Sequence, residues 1–460
     1  MRWNQAGIER PRSSQREVSL CLVAHRLFLF SIMGLMLGFA ATAARAEDAI
    51  GRLTPERLGA VHQAVEQFKS ELQTVSRPGP LQEYRANLHV HSAFSHDSRG
   101  TIDEIVIAAK KAGTRVLMFT EHPAAHYDIF DNGHQGMYED VLLIPGAETN
   151  GMLVYPRQSI QSFLKEKPQE FSEIVRGRGG LTFLSHLEER MDWEIQGITG
   201  VEIYNTHADA KDEKRLFASL KNPLWLMKTS ELFRKYPQEA FSALQDYPAD
   251  YLRRWDQLCQ RSPHTGVSAN DAHQNIGLSV TLADEGKVRV ADGLDAQLLL
   301  LDAAVFGAMK PIPEGTKVGD KLFQMRLDPY ENSLRHVATH LLLTELSQPA
   351  VWEALNQGRA FVAFDWIADA TGFDFAADAG GVRHEMGSQL KLANKNMLNG
   401  QAPLSAHWKL MRNGTLVAES NGSSFQHEVT LAGNYRVELW LNLAGEDRLW
   451  ILSNPIYVTE

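Results

Sequence analysis

This 460-residue sequence is poor in cysteine and has fewer basic than acidic residues. It contains 2 cysteines, and its 46 lysines and arginines are outnumbered by 56 aspartates and glutamates, which gives a formal net charge of −10. This imbalance argues against nucleic acid as a partner, because phosphate backbones bind positive surfaces. Long apolar runs are also scarce. The most apolar stretch, Leu27 to Ala41, is shorter than the roughly 20 residues that a membrane-spanning helix needs.

The first 46 residues have the pattern of a secretory signal peptide. Arginines precede the apolar run, and Ala44 and Ala46 are small residues at the cleavage positions. We therefore predict cleavage after Ala46 and a periplasmic or secreted protein without stable membrane insertion; a retained membrane anchor is the alternative. Cleavage would remove six arginines, two glutamates and Cys21, which leaves a net charge of −14. Cys259 would then be alone, and an intrachain disulfide is excluded.

The remaining chain divides by pattern into three parts. Residues 47–84 predict a helical lead-in, and residues 85–370 alternate strand and helix patterns, which favours a parallel sheet or barrel. Within this part, residues 208–260 predict a helical insertion that is rich in aromatic residues. These side chains either form the core of the extra helices or cover the functional site and select its substrate. Residues 371–460 change to period-two strands with an Asn-Gly turn at Asn413, which predicts a small antiparallel β-sandwich domain.

Two histidines at the end of the first predicted strand indicate a metal site. His89 and His91 are two residues apart, so their side chains leave the strand on the same face and can chelate one cation. The later strands end in carboxylates and imidazoles too, and in parallel folds such ends meet at one rim. Zn²⁺, Mn²⁺ and Fe²⁺ suit this donor set. The complete candidate set is His89, His91, Asp97, His122, Glu148, His186, Asp271 and His273.

Five short motifs, in order, resemble those of the PHP (polymerase and histidinol phosphatase) family. They are NLHVHSAFSHD, TEH, IPGAE, LSH and NDAH, spread over roughly Arg85 to Ile276. The resemblance implies a distorted (β/α)₇ TIM-like barrel that holds two or three divalent metals. It also implies hydrolysis by a metal-bound hydroxide.

The resemblance also implies how the ligands are shared. His89, His91, Glu148 and Asp271 would hold the first metal and its hydroxide, Glu148 would bridge to a second metal bound by His186, and Asp97, His122 and His273 would hold a third. Some family members have a further histidine on the second metal, but no histidine lies between Thr149 and Ser185 here. The second site could be completed by water, could bind its metal weakly, or could hold no metal.

The leading functional hypothesis is a phosphoesterase that acts on small phosphate esters. Hydrolysis of carbamates or aryl esters, as in the carbaryl-hydrolase-like branch that the sequence resembles, is the alternative. A non-catalytic metal-containing binding module is a third reading, disfavoured because eight matched ligand positions are present. A small molecule is the expected substrate, His207 is a candidate for protonating the leaving group, and a homo-oligomer stays open. His336 and His340, four apart on a predicted helix, are better explained by packing than by metal binding.

Overall fold

The computed structural model describes residues 49–220, 223–284, 286–393 and 396–460, all of which belong to one compact unit. The predicted signal peptide over residues 1–46 lies outside the described residues. Within the described ranges, every helix is too short or too polar to cross a membrane.

The described residues form strands and helices that alternate through the first half of the chain. The strands are β1 (Gln82–Val90), β2 (Val116–Phe119), β3 (Gly136–Tyr138), β4 (Val141–Ile144), β5 (Ala147–Thr149), β6 (Met152–Tyr155), β7 (Leu181–Leu184), β8 (Gly200–Asn205), β9 (Thr265–Ala269), β10 (Gly277–Leu282), β11 (Lys287–Asp292), β12 (Gln297–Asp302), β13 (Lys321–Arg326), β14 (Ala338–Leu343), β15 (Ala360–Ala363), β16 (Asp374–Ala379), β17 (Val382–Glu385), β18 (Gln389–Lys391), β19 (Met397–Arg412), β20 (Thr415–Glu428), β21 (Gly433–Leu443), β22 (Glu446–Ser453) and β23 (Ile456–Thr459). The helices are α1 (Ala49–Arg52), α2 (Pro55–Glu71), α3 (Ile102–Ala112), α4 (Ile129–Asn132), α5 (Pro168–Gly177), α6 (Thr206–Asp212), α7 (Lys214–Leu220), α8 (Pro223–Lys235), α9 (Pro237–Ser242), α10 (Ala249–Cys259), α11 (Ala303–Met309), α12 (Tyr330–His336) and α13 (Gln348–Gln357).

Local sequence signals explain where the helices begin and end. The Thr101 side chain and Glu104 form a capping box at the start of α3, and Gly113 ends this helix in the left-handed conformation with φ 78°. Thr54 caps α2, with Pro55 in its first turn. The capping box and Gly113 bound α3 at Ile102 and Ala112.

Two sets of parallel strands bring the strand ends together. β1 pairs with β2 and β2 with β4, while β7 pairs with β8 and β8 with β9. Single parallel bridges, Val90 to Ala272 and Glu121 to Ala147, join the two sets just beyond the strands. The carboxyl ends of β1, β2, β7, β8 and β9 consequently face one rim.

The predicted mixed α/β class is confirmed. The parallel strands are distributed over two sheets joined by isolated bridges, and a third, antiparallel sheet of β10 to β13 packs beside them. The sequence analysis assigned no strands to this third sheet. A seven-unit barrel and a separate sandwich remain predictions.

The C-terminal strands continue one of these sheets. β15 pairs with β14 on one side and with β22 on the other, where Phe361 lies opposite Ser453. Hydrogen bonding thus runs through the sheet on both sides of the boundary predicted at residue 370, and the division into domains stays a prediction. The Asn413-Gly414 turn joins β19 to β20, with φ 52° and 80° at its two residues. Such positive values are what a two-residue hairpin turn requires.

Residues 208–260 are mainly helical, and some of their aromatic side chains are buried. Trp255 is fully buried in the main hydrophobic cluster, and Tyr251 packs in the same cluster. Cys259, at the end of α10, is a free and buried thiol, and burial raises its pKa to about 12. Phe241 is also buried, but it lies on the wall of the cleft described below.

The helix predicted over His336 and His340 is wrong. His336 ends α12, whereas His340 lies in the middle of β14, because Val337 begins an extended run of buried apolar residues. The His336 ring contacts the Tyr204 hydroxyl and the Ser242 hydroxyl, each at 2.8 Å. His340 lies between the carboxylates of Glu83 and Asp365, at 2.6 and 2.9 Å. Both rings thus have structural partners.

We expect His340 to make the stability of the fold depend on pH. Burial lowers its pKa, but Asp365 and Glu83 outweigh burial and raise it to about 9. This value lies above the roughly 6.5 of an unfolded histidine. His340 therefore stabilises the fold fully below pH 6.5, and this stabilisation is lost as the pH rises through 9. The free energy of unfolding, measured with urea, should fall by up to about 3 kcal/mol over this range. In His340→Gln the loss should be clearly smaller; equal slopes in the two proteins would contradict the assignment.

Candidate metal centre

The first two candidate ligands come from one face of β1. Leu88 and Val90 are buried in the apolar clusters of this strand's other face, and the alternation turns His89 and His91 together towards the rim. Both imidazoles are fully buried. The strand therefore forms the floor of the site.

His89 and His91 meet the carboxylates of Glu148, in β5, and Asp271, just after β9. The His89 Nε2 atom lies 3.4 Å from Glu148 Oε2 and 3.2 Å from Asp271 Oδ1. The His91 Nε2 atom lies 3.8 and 3.5 Å from the same two oxygens. Four donor atoms from three parts of the chain thus surround one point, an arrangement that could hold a metal ion.

A second group of donor atoms adjoins the first and shares His91. Asp97 Oδ2 lies 3.3 Å from the Nε2 atoms of both His122 and His273. The rings of His91 and His273 stack with centroids 3.9 Å apart. These four residues form another group that could hold a metal ion.

His186 lies on the other side of Glu148. Its Nε2 atom is 3.0 Å from Glu148 Oε1 and 3.7 Å from Asp271 Oδ2. Both carboxylates therefore turn one oxygen to the pair of histidines on β1 and the other oxygen to His186. The structure thus places all eight sequence-predicted ligands around one centre.

Buried polar atoms without partners show that this centre fits a cation. Within the described part of the chain, the Nε2 atoms of His89, His91 and His273 and the Oδ1 atoms of Asp97 and Asp271 are buried and accept or donate no hydrogen bond. Burying an unpaired polar atom costs about 1–3 kcal/mol, so such a concentration of them calls for a further ligand. Divalent cations bind imidazole nitrogen and carboxylate oxygen together, which is the donor set present.

Two buried carboxylates set which nitrogen of each β1 histidine faces the centre. Glu202 Oε1 lies 2.7 Å from His89 Nδ1, and a carboxylate can only accept, so Nδ1 carries the proton. For His91, the Ser95 hydroxyl lies 3.0 Å from Nδ1 and donates to Glu121 Oε2 at 2.7 Å. In both rings Nε2 is then the nitrogen that is turned inward, and it binds a metal once it has lost any proton it carries.

The outer histidines are held in the same way. The Nδ1 atom of His273 lies 3.0 Å from the backbone carbonyl of Asp271, and the Nδ1 atom of His186 lies 3.3 Å from Glu188. The Tyr251 hydroxyl in turn donates to Glu188. These contacts orient Nε2 of both rings towards the centre.

The charges of the centre are strongly coupled. Burial lowers the pKa of His89, but Asp271, Glu148 and Glu202 outweigh burial and raise it well above its usual value. Burial raises the pKa of Glu148, but His89 and His186 outweigh this and hold it well below its usual range. For His91 burial prevails and lowers the pKa to about 3. The carboxylates are therefore ionised at neutral pH, as cation binding needs.

Two ligands stand in a backbone conformation that non-glycine residues seldom adopt. His186 has φ 45° directly after β7, and Asp271 has φ 51° after β9. A residue in the left-handed region costs of order 1 kcal/mol, and such residues concentrate at functional sites. The two strand ends therefore turn sharply at the positions where their side chains enter the centre.

Sequence reasoning assigned no role to the carboxylates that orient the ligands. Neither Glu202 nor Glu121 belongs to the predicted ligand set. The sequence feature that could have revealed their role is a charged residue within, or at the end of, an otherwise apolar strand. In the structure Glu202 is fully buried and Glu121 nearly so. His207, the candidate proton donor, is half-exposed, and its Nδ1 atom lies 3.3 Å from Asp271 Oδ2.

Comparison with known families agrees with this geometry. The family model of the PHP domain matches residues 87–282, the segment that contributes all eight candidate ligands. The chain contains a PHP domain. No curated protein matches the chain.

Among solved structures, one similar chain is a two-domain protein from Bacteroides vulgatus that contains a predicted PHP-like metal-dependent phosphoesterase. It is 11% identical, the alignment covers 83% of this chain and 98% of that one, and the TM-score is 0.35. The PHP match and the donor clusters support a divalent metal and, as the coarse class of activity, a metal-dependent hydrolase.

Proposed function

We propose that this protein is a metal-dependent phosphoesterase that hydrolyses small phosphate esters at the rim formed by the parallel strand ends. The observation that carries the proposal is the set of buried, unpartnered Nε2 and Oδ1 atoms that converge between Glu148 and Asp271. Two or three cations, Zn²⁺, Mn²⁺ or Fe²⁺, are the proposed cofactors.

When bound, divalent cations activate water and stabilise the negative charge that develops on the substrate. The protein side chains perform the positioning. Glu202 and the Ser95–Glu121 pair fix the tautomers of His89 and His91. The full burial of these two rings closes the floor to water. Above them lies a cleft of about 500 Å³, a size that suits a small-molecule substrate.

Hydrolysis of a carbamate or aryl ester is the second candidate, and the wall of the cleft favours it. Ala210, Phe241, Leu244 and Ile276 line one side and continue into an apolar recess. An apolar wall would accommodate an aryl or alkyl group better than a sugar or a nucleotide.

The two basic side chains that line the cleft, Arg190 and Lys211, already pair with other groups of the protein. Arg190 Nη1 donates to the carbonyls of Ser185 and His186, at 3.0 and 3.2 Å. Lys211 Nζ lies 2.6 Å from Glu189. Neither side chain is therefore free to bind the phosphate group of a substrate. This supports the carbamate or aryl ester as the second candidate substrate.

A substrate panel tests the two candidates. The full chain, loaded with Mn²⁺ or Zn²⁺, is assayed with p-nitrophenyl phosphate, bis-p-nitrophenyl phosphate, 1-naphthyl acetate and 1-naphthyl N-methylcarbamate. We expect turnover of the phosphate esters that a chelator abolishes and added metal restores. Turnover of the carbon esters alone would replace the first candidate by the second. A folded protein that holds metal but turns over none of the four would support the non-catalytic reading instead.

We also propose export to the periplasm or the medium, with the mature chain beginning at Glu47. N-terminal sequencing of the protein from fractionated cells tests this, because a retained Met1 in the membrane fraction would support the anchor instead. Size-exclusion chromatography with light scattering decides between monomer and homo-oligomer.

A further inference from the structure

We propose that His207 is a metal ligand that completes a second cation site together with Glu148, His186 and Asp271. This inference rests on the proposed metal-dependent function and adds a residue to it. The stretch from Thr149 to Ser185 contains no histidine, so the second site lacks a nitrogen ligand from that segment. The structure brings an imidazole to the same side of the centre from a different part of the chain.

The oxygens that face away from the β1 histidines define where this site lies. Glu148 Oε1 is 3.0 Å from His186 Nε2, and Asp271 Oδ2 is 3.7 Å from the same nitrogen. His207 Nδ1 lies 3.3 Å from Asp271 Oδ2. Metal bonds of 2.0–2.1 Å in a tetrahedron place neighbouring ligand atoms about 3.4 Å apart. The three separations are close to that spacing, and two of them involve Asp271, whose side chain is almost fully buried.

The position of His207 is fixed by the same carboxylate that organises the rest of the centre. His207 is the second residue of α6, and its backbone N–H donates to the Asn205 side chain at 2.8 Å. The Asn205 amide donates to Glu202 Oε2 at 2.9 Å, and the backbone N–H of His186 donates to the same oxygen at 2.7 Å. Glu202 therefore holds His89, His186 and His207 in one network, so the three imidazoles are placed together.

The exposure of His207 predicts a difference between the two sites. The His89 and His91 side chains are fully buried, whereas about half of the His207 side chain is exposed. A cation held partly by His207 is thus open to solvent and to a substrate that enters the cleft. We expect it to exchange faster than the cation held by the β1 histidines.

Metal content distinguishes a ligand from a proton donor. The full chain is stripped with a chelator, reloaded with Zn²⁺ or Co²⁺, desalted and measured by elemental analysis, with isothermal titration for affinity. We expect His207→Ala to retain its circular dichroism and to hold one equivalent fewer, or to bind the weakest equivalent at least tenfold less tightly. His207→Glu, which offers a carboxylate oxygen, should recover part of the loss. The exposed His126 supplies a matched control, His126→Ala, that should equal the wild type.

Unchanged stoichiometry and affinity in His207→Ala would overturn the ligand role. If that variant also lost one limb of the pH–rate profile, His207 would be the proton donor. A changed visible spectrum of the Co²⁺ protein, confined to His207→Ala, would support the ligand. Failure of the proposed function itself looks different, because the wild type would then bind no metal or hydrolyse no substrate, whatever His207 does.

Discussion

Glu148→Gln is expected to lose tightly bound metal and to lower turnover by roughly 10³-fold, which corresponds to about 4 kcal/mol of lost transition-state stabilisation. Glu148 lies between the histidines of β1 and His186, with one carboxylate oxygen turned to each side. Its Oε2 lies 3.4 Å from His89 Nε2, and its Oε1 lies 3.0 Å from His186 Nε2. Glutamine keeps the volume of the side chain, but it replaces one of these acceptors by an amide that cannot bind a cation.

Elemental analysis and the phosphate-ester assay measure the effect of Glu148→Gln. The matched control is Glu173→Gln on the exposed face of α5, which makes the same chemical change away from the cleft and should behave as the wild type. Thermal unfolding of the stripped proteins shows whether the variant folds. Full metal content and turnover within tenfold of the wild type would contradict a bridging role for Glu148.

The candidate ligands could be predicted because each depends on a local pattern. The i, i+2 spacing of His89 and His91 places them on one face of a strand, and the other candidates follow short apolar runs. The packing of parallel strands then forces the ends together. No knowledge of the partner strands was needed, since all parallel strands expose the same end.

The parts that could not be predicted depend on pairing between distant residues. Glu202 accepts from His89, which lies 113 positions earlier in the chain. No pattern within β8 shows which histidine its carboxylate meets. The pairing of β15 with β22 is equally non-local, so a change of pattern near residue 370 could not reveal that the sheet continues. His340 was misplaced because a four-residue spacing of histidines fits a helix as well as a loop and a strand.

The orienting carboxylate Glu202 should have the second large effect. It is fully buried, and it accepts from His89 Nδ1, from the backbone of His186 and from the Asn205 amide. In Glu202→Gln the amide oxygen can serve only one side of this network, so either His89 or the His186 and Asn205 donors would face an N–H group. Loss of such an orienting partner typically lowers metal affinity or activity by about 10–100-fold. We expect a loss of this size in Zn²⁺ affinity measured by competition with a chelating dye.

A buried carboxylate remote from the centre separates loss of metal from loss of stability. Glu438 is also almost fully buried and accepts from Arg436 Nη1 at 2.7 Å and from the Tyr247 hydroxyl at 3.0 Å. Glu438→Gln should lower the free energy of unfolding by about 1–3 kcal/mol while Zn²⁺ affinity stays at the wild-type value. Glu202→Gln should lower both quantities. If the two variants lost stability equally and neither lost affinity, Glu202 would be a structural carboxylate. The orientation of His89 would then have to come from the packing of β1 alone.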